Sequence, residues 1–176
     1  MHRAVFLDRD GVINKALVVD GKPYPSHDLN ELEIMPGVEQ AILRLRNLGY
    51  LCIVVTNQPD VARGKTSVES VESINQSLRE RLAIHEIISC YHDDLENCDC
   101  RKPKPGSLIK AALKYNIDLS KSFMVGDRWR DIEAGHNAGC KTFFIDYQYN
   151  EKQPTNPTYR VASLPDAVKI ILDKCL

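Results

Sequence analysis

Short apolar runs alternate along the chain with segments whose apolar residues recur every three or four positions. The runs at residues 3–7, 51–55, 87–89, 122–125 and 142–145 are scarcely broken by polar side chains, the pattern of strands buried on both faces. Between them the period lengthens. Val38, Ala41, Ile42, Leu45 and Leu48 mark a helix with Pro36 at its first turn and Gly49 just past its end. Thr66-Ser67-Val68-Glu69 reads as a capping box that opens a second helix, with Val71, Ile74, Leu78 and Leu82 along one face. Leu108, Ala111, Ala112 and Tyr115 predict a third helix, and residues 132–138 a short fourth. Ser163-Leu164-Pro165-Asp166 opens a last one with Val168, Ile171 and Leu172 inward. This alternation predicts an α/β fold, a doubly wound parallel sheet with right-handed crossovers. Residues 149–159, polar and containing proline, read as a surface connection.

Composition changes little in that picture and excludes several others. With 176 residues, 43% hydrophobic and 27% charged, the chain is expected to form a single domain over 1–176. Twenty-three basic against 24 acidic residues leave a net charge of −1, so no bulk field favours nucleic acid or an anionic membrane. Neither is expected as a partner, and the protein is expected to be a monomer. The chain runs from Met1-His2-Arg3 straight into an apolar strand, with no signal-peptide pattern and no membrane-length apolar run. A cytoplasmic location is the expectation. Six cysteines are the one unusual count. Cys90, Cys98 and Cys100 crowd around His92, whereas Cys52, Cys140 and Cys175 stand alone among apolar neighbours and read as buried thiols.

In open parallel sheets ligands bind at the carboxyl ends of the strands. The first predicted strand delivers Asp8-Arg9-Asp10-Gly11 there, and the second Thr56-Asn57-Gln58. The segment after the third delivers Arg101-Lys102-Pro103, and the fourth delivers Gly126-Asp127-Arg128 with Asp131 one turn on. Aspartates meeting at one rim repel unless a hard cation lies between them, and carboxylate oxygens suit Mg²⁺. A Lys and a Thr beside that cation would cradle a phosphoryl group. If the strand continued through Asp8 and Asp10, both carboxylates would leave on one side. One could then attack phosphorus while the other moves protons.

These four segments together resemble the signature motifs of the haloacid dehalogenase superfamily of phosphotransferases. The motifs are Asp8-Arg9-Asp10-Gly11-Val12, Thr56-Asn57-Gln58, Lys102-Pro103 and Gly126-Asp127-Arg128 with Asp131. The resemblance implies a Rossmann-like fold of haloacid dehalogenase type. It implies Asp8 as the nucleophile that forms an aspartyl-phosphate and Asp10 as the acid and base. Thr56 and Lys102 would hold the phosphoryl group, and Mg²⁺ would sit on Asp8, the Asp10 backbone carbonyl and Asp127. Aspartate at position 10 is what the phosphatases of the superfamily carry. Only 48 residues separate Asp8 from Thr56 and 46 separate Thr56 from Lys102, so no cap domain fits in either interval.

Cys90-Tyr91-His92, five residues, then Cys98-Asp99-Cys100 supplies four ligands for a closed, structural Zn²⁺ site in a loop at about 90–100. The alternative is three reduced thiols and a surface histidine. With the following Arg101-Lys102-Pro103, and with Asn57-Gln58 and Ala62-Arg63-Gly64, the loop resembles that of the D-glycero-D-manno-heptose 1,7-bisphosphate 7-phosphatases and the related histidinol-phosphate phosphatases. That resemblance implies removal of the 7-phosphate of a heptose bisphosphate, a small phosphorylated sugar. Arg9, Asn57, Gln58, Arg101 and Arg128 are the candidate substrate-binding residues. Histidinol phosphate is the nearest rival substrate and a polynucleotide 3′-phosphate a more distant one. A zinc-stabilised interaction module with a dead site is the rival of another class. Pro59-Asp60 and Arg128 depart from the group's usual Ser-Gly and Lys, and residues 14–30 form a longer loop than expected there. Trp129 could wall the site, with ordinary packing as its plainer reading, and His27 could touch a substrate, with a surface-loop position as its plainer reading.

Overall fold

The computed structural model describes residues 1–173. Each apolar run forms a strand: β1 (Arg3–Leu7), β4 (Tyr50–Asn57), β5 (Glu86–Cys90), β6 (Phe123–Gly126) and β7 (Lys141–Ile145). The long-period segments become α1 (Val38–Asn47), α2 (Val68–Arg81), α3 (Gly106–Tyr115), α4 (Trp129–Ala138) and α5 (Leu164–Asp173). A sixth strand, β8 (Tyr159–Val161), and a hairpin of β2 (Leu17–Val19) and β3 (Lys22–Tyr24) complete the elements. The main sheet runs β5-β4-β1-β6-β7-β8 with every pair parallel. Taken by chain order within this sheet, that is the Rossmann order, and it reverses between β1 and β6.

Alternate residues of β1 belong to opposite cores. Val5 and Leu7 pack with Ile42, Leu45, Ile74, Leu78 and Ile171, from α1, α2 and α5. Ala4 and Phe6 pack with Leu108, Ala111 and Ala134, from α3 and α4. Helices therefore cover both faces, which is why the strands lack polar alternation. Residues 1–173 include no cap domain; only the small hairpin and a single 3-10 turn at Leu29–Glu31 lie between β1 and α1.

Four expectations shift. The loop at 14–30 contains the β2–β3 hairpin, turned at Asp20-Gly21, both at positive φ as a two-residue turn of type I′ geometry demands. Residues 149–159 end in an edge strand rather than running as loop to the last helix. Helix α2 is capped one residue later than Thr66, by the Ser67 hydroxyl accepting from the Ser70 N–H. Helix α4 begins at Trp129, ahead of Ile132, because Asp131 turns back to accept the Arg128 N–H at 3.0 Å.

Candidate active site

At the carboxyl end of β1 the Asp8 N–H donates to Val125 of β6, fixing Asp8 at the point where the strand order reverses. Lys102 meets it there, 1% exposed, with three acceptors for its three protons. Its Nζ lies 2.8 Å from Asp8 Oδ1, 2.7 Å from the Val55 carbonyl and 2.7 Å from Asp131 Oδ1. Burial alone would lower the Lys102 pKa, but the charges of Asp131 and Asp8 outweigh it and push it up to about 12. Asp8 itself is raised to about 6, by burial and then by the Asp131 charge, against the pull of Lys102.

Asp127, immediately after β6, differs from its neighbours. Both carboxylate oxygens are buried and accept no hydrogen bond. Burial and the charges of Asp8 and Asp131 push its pKa well above the carboxylate range. A buried, unpartnered carboxylate is costly, and ligand atoms of Asp8, Asp127 and Asp131 all lie within 4.8 Å of one another. The donor set is oxygen-only and anionic, which suits a hard divalent cation. Gly11 makes room for it: at φ +92° it would place a Cβ only 2.0 Å from Asp127 Oδ2. Asp131 has its oxygens engaged by Lys102 and the Arg128 N–H, so Asp8 and Asp127 are the better direct ligands.

Asp10 is not positioned by strand alternation, because β1 ends at Leu7 and the chain turns at once. The Arg9 carbonyl accepts from the N–H groups of Val12, Ile13 and Asn14. The Asp10 side chain points into its own cradle. It accepts from Arg9 Nε (3.0 Å), Asn14 Nδ2 (2.9 Å), the Ser26 N–H (3.2 Å) and Gln58 Nε2 (2.9 Å). Its carboxylate stands outside the Asp8, Asp127 and Asp131 group.

That cradle changes the placement of three residues expected to touch substrate. Arg9 is fully buried and divides its guanidinium between Asp10 and Asn75. Gln58 is 1% exposed and its amide bridges Asp10 and the Thr56 hydroxyl, both at 2.9 Å. Asn57 donates to the Lys102 carbonyl at 3.0 Å and accepts its N–H at 3.1 Å, a two-point clamp on the backbone of the buried lysine. All three hold catalytic candidates in position. Arg101 and Arg128 do face open space.

The loop that delivers Arg101 and Lys102 gathers Cys90, His92, Cys98 and Cys100, with ligand atoms within 4.8 Å of one another. Sulfur–sulfur separations of 3.1–3.7 Å approach the edge of about 3.8 Å that a tetrahedron with metal–sulfur bonds near 2.3 Å requires. The cysteines are unbridged. Hydrogen bonds from Cys100 and from the Arg101 N–H outweigh burial at Cys98 and lower its thiol to about 7. The loop closes on α3, where Gly106 would set a Cβ 2.2 Å from the Asp99 carbonyl. Cys52 and Cys140 are buried thiols as expected, and Cys175 lies outside the described residues.

Asp8, Asp10, Thr56, Lys102 and Asp131 line a pocket of about 50 Å³. It shares Asn57, Arg128, Arg130 and Pro23 to Pro25 with a larger chamber of about 190 Å³, which also takes in Lys22, Arg63, Asp94 and Arg101. Trp129 lines neither; its ring lies under Arg130 and Lys152. His27 stays in the surface loop beside Glu31 and Asp60.

The HAD-hydrolase-like family model matches residues 99–167. The D-glycero-beta-D-manno-heptose-1,7-bisphosphate 7-phosphatase of Helicobacter pylori is 36% identical over 87% of this chain and 88% of its own. That of Vibrio cholerae is 42% identical over 79% of this chain and 78% of its own. The chain belongs to the heptose-bisphosphatase group of the haloacid dehalogenase superfamily. Its fold matches the crystal structure of the D,D-heptose 1,7-bisphosphate phosphatase from B. bronchiseptica complexed with magnesium and phosphate. The TM-score is 0.83 at 28% identity, over 98% of this chain and 99% of that one. As a member of this family the protein is a phosphoric monoester hydrolase, and the clustered carboxylates of Asp8, Asp127 and Asp131 stand at the sheet's switch point. Sequence reasoning missed Asn14 and Ser26 in the Asp10 cradle, Asn75 behind Arg9, and Arg130, Asp94 and Glu151 around the chamber.

Proposed function

We propose that the protein removes the 7-phosphate of a D-glycero-D-manno-heptose 1,7-bisphosphate through a phosphorylated Asp8. The observation that carries this reading is the asymmetry of the buried carboxylates. Lys102 neutralises Asp8 and Asp131, while Asp127 has no cationic partner and its buried oxygens accept no well-formed hydrogen bond. Mg²⁺ held by Asp8, Asp127 and the Asp10 carbonyl would supply the missing positive charge and offset that of the phosphoryl oxygens. Zn²⁺ held by Cys90, His92, Cys98 and Cys100 would stiffen the loop carrying Arg101 and Lys102.

The chain's own residues account for the remaining chemistry. Asp8 Oδ1 accepts from Lys102 and from the Arg9 N–H, which leaves Oδ2 as the oxygen that attacks phosphorus. As the P–O bond to the sugar breaks, Asp10 turns out of its cradle and serves as the acid that protonates the leaving oxygen. The resulting carboxylate then takes a proton from water as that water attacks the phospho-aspartate, releasing inorganic phosphate and restoring both groups. The Thr56 hydroxyl and the Lys102 ammonium steady the transferring group. Uncatalysed monoester hydrolysis is so slow that enzymes reach enhancements of ~10²¹, so positioning and charge neutralisation bear nearly the whole burden. That is what the interlocked cradles supply.

Phosphate release from both anomers of heptose bisphosphate, histidinol phosphate and a 3′-phosphorylated oligonucleotide, with Mg²⁺ present, tests the substrate. A heptose bisphosphate should give the highest kcat/KM. Preference for histidinol phosphate or the oligonucleotide would overturn the proposal.

A further inference from the structure

The larger chamber carries an uneven distribution of charge. Arg63 has Asp93 to itself through bonds of 2.8 and 2.7 Å, with Asp60 behind it. Arg128 has Glu151, whose two oxygens both accept from its Nε at 3.1 Å. Arg101 and Arg130 must share a single carboxylate. Asp94 Oδ1 accepts from Arg101 Nε at 2.8 Å and from Arg130 Nη1 at 3.1 Å, and Oδ2 receives only a 3.4 Å contact from Arg130. Lys22, exposed on the same chamber, forms no ion pair among the described residues. Two cations on this wall, one of the Arg101 and Arg130 pair and Lys22, have no carboxylate of their own among the described residues.

Asp94 is the most exposed member of the trio. Its side chain is 51% exposed, against 10% for Arg101 and 24% for Arg130. Half-exposed, the Asp94 carboxylate can be rehydrated when a stronger anion takes its place on the two guanidinium groups. A phosphate offers more charge and more acceptor oxygens to two guanidinium forks than one carboxylate does. Arg130 also lines the reaction pocket itself, so a ligand bound there spans both spaces.

We infer that Arg130 is a specificity-determining residue for substrates bearing a second phosphate, and that Asp94 occupies the Arg101 and Arg130 guanidinium groups until that phosphate displaces it. This rests on the proposed phosphatase reading and extends it to how a bisphosphate is told from a monophosphate. The substrate's second phosphate takes over both guanidinium groups and Asp94 turns to water. Arg130 acts on binding and not on the phosphoryl transfer.

The test compares kcat/KM for heptose 1,7-bisphosphate and heptose 7-phosphate in wild type, Arg130→Met, Arg130→Lys and Asp94→Asn. Arg130→Met should reduce the bisphosphate:monophosphate preference at least tenfold, mainly through KM for the bisphosphate. Arg130→Lys should recover part of it, and Asp94→Asn should raise the preference several-fold. Equal losses on both substrates, or an unchanged preference, would overturn the inference while leaving the heptose reading in place. Should the wild type ignore both heptose phosphates, fructose 1,6-bisphosphate and fructose 6-phosphate replace them. An Arg130-dependent preference there would uphold the inference and defeat only the heptose reading. No such dependence would defeat both.

Discussion

The molecule gathers potential metal ligands in two places, and the two are built in opposite ways. The carboxylate site draws Asp8 and Asp127 from neighbouring strands far apart in sequence, and all three of its carboxylates are buried. The Cys/His site is local, confined to residues 90–100, with His92 exposed. The first is over-supplied with negative charge and leaves Asp127 unsatisfied; the second has four ligands and closes on itself. An open, strained site suits chemistry, and a closed one suits anchoring. They meet at Arg101-Lys102, where the anchored loop feeds a cation into the strained site.

The sharpest way to break this contrast is at Asp8. Asp8→Asn should cut turnover by at least ~10⁴-fold while leaving the far-ultraviolet spectrum and cooperative unfolding intact. Residual activity near wild type would remove Asp8 from the nucleophile role. Asp10→Asn should lose about 10²–10⁴-fold, with phosphorylated Asp8 accumulating in rapid-quench mass spectrometry as water activation fails. No accumulation would place the lost step before the phosphoenzyme.

The local site should respond differently. Protein prepared with zinc is expected to retain one equivalent after Mg²⁺ exchange. Cys98→Ser should lower both the melting temperature and kcat/KM, the latter by about 10–100-fold, because Lys102 loses its anchored backbone. Metal-free protein with an unchanged melting curve would show the loop needs no metal. Asn57→Leu probes the junction: it leaves the Lys102 backbone N–H and C=O unpaired and should cost about 1–3 kcal/mol in urea unfolding.

The smallest effect lies in pH. Without divalent metal, Asp8 holds its proton up to about 6, whereas an unfolded carboxylate releases it near 3.8. Between those values the folded state binds more protons, so this group's contribution makes metal-free protein more stable as pH falls from 7 to 5. Saturating Mg²⁺, which needs the ionised carboxylate, should flatten or reverse that slope. Asp8→Asn should remove its Mg²⁺ sensitivity.

The strands and most helices were legible because their apolar periods are strong, and the catalytic candidates because they fall where strands end. The Asp20-Gly21 hairpin turn was also written in the sequence, but Pro23 disguised the strand beside it; proline is tolerated there on a short two-stranded edge. Arg9, Asn57 and Gln58 were recognisable as members of the site, not as supports within it. A buried arginine and a solvent-facing one are the same letter. Which it becomes depends on Asn75 and Asp10 arriving beside it.

By itself, then, the sequence determined the layered α/β architecture, the rim on which Asp8, Thr56, Lys102 and Asp127 assemble, and the four-ligand loop, since all follow from periodicity and local spacing. Tertiary structure alone decided that Asp10 has a separate cradle, that Asp127 is the unpartnered carboxylate and that Arg101 and Arg130 compete for Asp94. Those are questions of which buried charge finds which partner. The answer depends on distances between segments remote in the chain, and local sequence carries no record of them.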